Sequence, residues 1–101
     1  MKRVIEGKTY NTESATELVT ASSGLSRSDF HHWRETLYRT KSGAYFLSGQ
    51  GGAMSSWRER CGDMWGRGSG IRVLTEQEAR EWVERHANEK YESIFGPAPE
   101  A

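Results

Sequence analysis

The chain has 101 residues and a mean hydropathy of −0.82, and its longest apolar runs, such as residues 44–47, are a few residues long, so a membrane-spanning helix of about 20 apolar residues is ruled out. This length supplies one compact domain and leaves no room for a two-lobed enzyme. Basic and acidic side chains balance at 14 each, which argues against a general nucleic-acid binder and against an acidic DNA mimic, while four tryptophans and 11% aromatic residues mark a folded chain with an aromatic core.

Val4 and Ile5, the Gly7–Lys8 punctuation and Tyr10 read as a short strand, a turn and a second extended piece. Asn11 or Thr12 can cap a helix, and Glu13 suits the positive end of its dipole. Ala15, Leu18, Val19 and Ala21 then stand at helical spacing, so a helix over 12–22 is expected, closed by Ser22-Ser23-Gly24. Residues 29–39 alternate as a strand, with Trp33 and Leu37 on the core side and Phe30 and Tyr38 on the other. Thr40-Lys41-Ser42-Gly43 forms a turn and residues 44–48 return as the partner strand.

Gly49-Gln50-Gly51-Gly52 is expected to break that strand. Residues 53–61 are expected to form a short helix carrying Met54, Trp57 and Cys61, and 62–70, with four glycines, a mobile loop around Met64 and Trp65. Residues 71–74 read as a further strand. Thr75-Glu76-Gln77-Glu78 is a capping box; the helix behind it runs to about Ala87 with Ala79, Trp82, Val83 and His86 on one face. Tyr91, Ile94 and Phe95 make a last apolar turn before Gly96. The expected fold is α+β: a small antiparallel sheet packed by two or three helices, in one domain over 1–96, with a flexible tail over 97–101.

Charge is unevenly spread. Residues 26–73 hold eight basic side chains against four acidic ones, and residues 74–101 hold seven glutamates against three basic side chains. The lone Cys61 forms no internal disulfide and the N-terminus has no apolar signal region, so a cytoplasmic protein is expected. Gly66-x-Gly68-x-Gly70 precedes a strand instead of leading into a helix, which does not match a phosphate-cradling loop. His31 and His32, adjacent on a strand, would face opposite sides, and no C-x-x-C or H-E-x-x-H spacing occurs. Cys61 has no local oxyanion hole or orienting partner, and Glu35 stands alone as a strand carboxylate. Neither cofactor, metal nor enzymatic activity is expected. The interleaved arginines and aromatics of residues 33–67 serve as core, as protein-contact hot spots, or as a stacking surface with phosphate-binding arms.

The hairpin Glu35-Thr36-Leu37-Tyr38-Arg39-Thr40-Lys41-Ser42-Gly43-Ala44-Tyr45-Phe46-Leu47, followed by Gly49-x-Gly51-Gly52, resembles small proteins encoded on bacterial phages and other mobile elements. The opening Ile5-x-Gly7-Lys8-x-Tyr10-Asn11-Thr12-Glu13 and the late Leu74-Thr75-Glu76-x-Glu78-Ala79-x-Glu81-Trp82 are similar to the same family in the same order. The resemblance implies a non-enzymatic, protein-binding inhibitor of a host defence complex, an anti-CRISPR protein among the roles such proteins fill. The alternative is a nucleic-acid-binding accessory or regulatory protein that uses the basic aromatic middle. The expected partner is a host protein or CRISPR effector complex, with nucleic acid as the alternative and no membrane. Candidate partner-binding residues are Tyr45, Trp57, Trp65 and Arg67, placed at the far end of the hairpin and on the glycine-rich loop, and the acidic helix face of Glu76, Glu78, Glu81 and Glu84.

Overall fold

The computed structural model describes residues 1–101. Strands β1 (Lys2–Ile5) and β2 (Lys8–Asn11) form an antiparallel hairpin. Strands β3 (Thr16–Ser22), β4 (Trp33–Arg39) and β5 (Tyr45–Gly51) follow as a meander. A second small hairpin, β6 (Glu59–Cys61) and β7 (Met64–Gly66), intervenes before β8 (Gly68–Leu74). The central sheet is antiparallel with the order β3-β4-β5-β8. Helix α1 (Glu76–His86), one 3₁₀ turn (Asn88–Lys90) and the short α2 (Tyr91–Phe95) complete the chain. The fold is a small α+β domain, and no helix is long and apolar enough to cross a membrane.

The register explains which side chains meet. Leu37 pairs with Leu47 and Arg39 with Tyr45 on β4 and β5, and Tyr45 pairs with Leu74 on β8. Leu37, Tyr45 and Leu47 pack with Ala79, Val83 and Trp82 of α1, and Tyr91, Ile94 and Phe95 extend the same core. Thr75 caps α1 by accepting from the Glu78 amide at 3.1 Å, while the Glu78 carboxylate accepts from the Thr75 amide at 2.8 Å. This capping box satisfies two amides that the helix leaves unpaired. On the opposite face of the sheet, Tyr10 from β2 packs against Phe46 and Ile71, with Tyr38 stacked on Phe46 at 5.1 Å. Alternation at period two along β4 and β5 thus feeds two separate cores, one under the helix and one under the first hairpin.

Five expectations are corrected. Residues 16–22 form an edge strand in place of the helix expected over 12–22. Pairing shifts between Glu17 and Val19, and this irregularity lets consecutive Leu18 and Val19 both reach the helix-side core. Two adjacent inward residues imitate helical spacing in the sequence, while Thr16, Val19 and Thr20 are β-branched and favour the strand. Residues 29–32 are turn: the Asp29 carboxylate accepts from the His31 amide, so β4 begins only at Trp33 and Phe30 is exposed.

The glycines 49 and 51 do not break β5, which continues to Gly51. They are required there because the chain after β5 folds back onto them. A Cβ on Gly49 would lie 2.2 Å from the Trp57 ring, and one on Gly51 would lie 2.1 Å from Ser55 Oγ. The helix expected over 53–61 is absent: residues 53–57 turn and 59–61 are β6. The loop expected over 62–70 is instead the β6–β7 turn, β7 and the first half of β8.

Candidate functional site

The centre of the helix-side core is polar. Glu35 is only 8% exposed. Its Oε1 accepts from Trp82 Nε1 and its Oε2 from Trp57 Nε1, both at 2.7 Å. One carboxylate on β4 therefore fastens both α1 and the 53–57 turn to the sheet. The remaining face of Trp57 is covered by the Arg72 guanidinium, 3.8 Å from the ring centroid, and Arg72 also donates to the Ser56 carbonyl and hydroxyl. A cleft of about 330 Å³ opens beside this cluster, lined by Trp33, Glu35, Arg72, Trp82, Arg85 and His86 among others.

From this anchored turn the β6–β7 hairpin projects as an arm. Three contacts hold its base. The Trp57 carbonyl lies so close to β8 that a Cβ on Gly68 would fall 1.9 Å from it. The Glu59 carboxylate accepts from the Ser69 amide. Arg67 donates to the Arg27 carbonyl. The arm itself turns through Gly62 and Asp63, with Cys61 opposite Met64. Gly62 has φ +66, the conformation that glycine supplies at the first position of a two-residue hairpin connection.

The arm carries no core. Trp65 is 47% exposed and Met64 73% exposed, and neither belongs to an apolar cluster. Trp65 lies opposite Arg60 in the register and is flanked by the guanidinium groups of Arg58 and Arg60, 4.5 and 5.3 Å from its ring. Each such contact is worth about 0.5–1 kcal/mol at an exposed site. The pair fixes the orientation of the indole and leaves half of it open to solvent. A groove of about 280 Å³ runs beside the arm along β8, with Arg3, Arg58 and Arg72 on its walls. The molecule is extended: its radius of gyration is 14.7 Å, against about 13 Å for a compact domain of this length.

The structure separates the candidate residues. Tyr45 and Trp57 are buried in the helix-side core, which corrects their reading as contact anchors. The β4–β5 turn and the arm lie at opposite ends of the sheet, beside Tyr45 and beside Gly51 and Gly68 respectively. Seven residues of β5 put them about 20 Å apart, so the two do not form one surface. Trp65 and Arg67 remain exposed, joined by Arg58 and Arg60, whose R-x-R spacing two and four residues before the turn was the available signal. On α1, Glu76 pairs with Arg80 in the chain's one ion pair, Glu78 is committed to the cap, and Glu81 and Glu84 are exposed. Cys61 is exposed, and no three His, Cys, Asp or Glu side chains group closely enough to hold a metal ion. No family model, curated protein or solved structure matches the chain.

Proposed function

We propose that this chain is a non-enzymatic binding protein that inhibits by occupying a surface on a host protein complex, the role implied by its resemblance to phage and mobile-element proteins, with an anti-CRISPR activity as the specific form. The observation that carries this reading is Trp65, held half-open between Arg58 and Arg60 on an arm outside both cores. An exposed aromatic fixed in place loses little freedom on binding, and Trp and Arg dominate interface hot spots. Met64 beside it adds an adaptable apolar contact. The cytoplasm, where such a complex operates, is the expected compartment.

The test is expression in a bacterium with an active defence complex. Wild-type protein is expected to restore phage plating and to retain a component of that complex in a pull-down, and Trp65→Ala to lose both. Failure of the wild-type chain in both assays refutes the reading.

The groove along β8 that Arg3, Arg58 and Arg72 line favours a second reading, a nucleic-acid accessory protein. Arg3, Arg58 and Arg72, with Glu59 among them, line the groove and offer phosphate contacts, and Trp65, reached through Arg58, offers a stacking face outside it. That reading requires DNA or RNA affinity that falls steeply with salt; no mobility shift at low salt removes it.

A further inference from the structure

We infer that β8 is the edge through which two copies of this chain pair, antiparallel about a two-fold axis at Ile71. The central sheet ends in β3 on one side and in β8 on the other, and the two edges differ. The pairing of β3 shifts between Glu17 and Val19, and such an irregularity turns an edge away from a further strand. β8 keeps one register with β5 along its whole length. It holds neither the proline nor the lysine that guards an exposed edge, and its one charged side chain, Arg72, is turned onto Trp57 and Ser56. The Ser69 amide points away from β5, since it donates to the Glu59 carboxylate. Backbone groups alternate in direction along an antiparallel ladder, so the amides and carbonyls of Ile71 and Val73 point out of the same edge. Neither residue's backbone is taken up by a turn, a loop or a cap.

A second β8 meets these groups. In antiparallel pairing centred on Ile71, each Ile71 amide donates to the Ile71 carbonyl of the other copy, and each Val73 amide donates to the Ser69 carbonyl opposite it. The Ser69 amide stays with Glu59, and the two sheets join into one. Charge selects a second copy over other extended chains. The groove along β8 is walled by Arg3, Arg58 and Arg72, and its one carboxylate, Glu59, is held by the Ser69 amide. In this register Leu74 of one copy stands beside Gly68 of the other, and α1 starts just beyond Leu74 with the exposed Glu76 and Glu78. The acidic first turn of each copy is thereby brought toward the arginine-walled groove of the other, and the two-fold axis makes the contact twice. The pairing uses the β8 backbone and not Trp65, so it stands apart from the host-binding reading.

The experiment is sedimentation equilibrium on the full chain, paired with amide hydrogen exchange read by NMR. The mass is expected to rise from 11.5 kDa toward twice that value as concentration goes from roughly 1 to 100 μM, the range of a small interface. Over the same range, exchange at the Ile71 and Val73 amides is expected to slow by about tenfold. The Ser23 amide donates to the Trp33 carbonyl, so by alternation the Thr20 and Ser22 amides point out of the β3 edge, and their exchange is expected to stay unchanged. Val73→Pro removes an outward amide that the monomer's sheet does not use, a place where an edge strand tolerates proline. It is expected to weaken association by at least about tenfold with circular dichroism unchanged. A monomer at every concentration overturns the proposal, as does a dimer that protects Thr20 and Ser22 in place of Ile71 and Val73, or one that Val73→Pro leaves intact. If that variant does not fold, the exchange pattern of the unaltered chain decides the matter alone.

Discussion

Glu35→Gln tests whether a single carboxylate holds the helix and the 53–57 turn to the sheet. The carboxylate accepts from two indole N–H groups, each at 2.7 Å. Glutamine keeps one acceptor oxygen and places an NH₂ group against the second indole, donor facing donor. One buried donor left unpaired costs about 1–3 kcal/mol. The surviving bond loses its charge assistance, which removes roughly 1 kcal/mol more. Burying a neutral amide is easier than burying a carboxylate and returns part of this. The expected net loss is about 2–3 kcal/mol, a large share of the roughly 5–15 kcal/mol that holds a domain folded. It corresponds to a fall in Tm of about 10–20 °C at this chain length. Denaturant unfolding followed by tryptophan fluorescence reads the loss, and hydrogen exchange at the Trp57 and Trp82 indoles reports which bond fails. A variant within about 0.5 kcal/mol of wild type, inside the range of ordinary surface substitutions, would refute the claim that Glu35 fastens the fold.

Gly49→Ala puts a methyl group 2.2 Å from the Trp57 ring, so the ring must leave both its seat and Glu35; a loss of about 2 kcal/mol or more is expected in thermal unfolding. Thr75→Ala removes the acceptor for the Glu78 amide and is expected to cost about 1 kcal/mol of stability, measured by denaturant titration. Burial, with Glu17 nearby, pushes the Tyr38 phenol above its ordinary value of 10.0. The folded chain then keeps a proton that the unfolded chain releases, so stability falls as pH rises from about 10 through the folded-state value. Tyr38→Phe is expected to flatten that part of an alkaline unfolding profile.

Much of this fold is legible in the sequence wherever one local signal acts alone. The β4–β5 hairpin follows from alternation and the Thr40–Gly43 turn, and α1 from its capping box and the Ala79, Trp82 and Val83 stripe. The failures lie where a long-range contact sets local conformation. Leu18 and Val19 imitate a helix because a shift of strand pairing turns both inward. Gly49 and Gly51 imitate a loop because their missing side chains make room for Trp57 and Ser55, which approach from later in the chain. The site was partly legible in the same sense. Trp65 stood out as a large aromatic between glycines with little local surface to cover it. The burial of Trp57 was hidden because its partner, Glu35, lies 22 residues away.

Trp65→Ala most directly tests the account's central claim, that the β6–β7 arm is a contact surface and not a covering for the core. Stability and affinity for the captured host component are to be measured on the same preparation. The account predicts unfolding within about 1–2 kcal/mol of wild type, since Trp65 joins neither core, the two flanking guanidinium contacts, at about 0.5–1 kcal/mol each, being its main support. It predicts a loss of affinity of about 2 kcal/mol or more, roughly thirtyfold. A stability loss of about 3–5 kcal/mol, the cost of removing a core aromatic, or binding unchanged by the substitution, would contradict it.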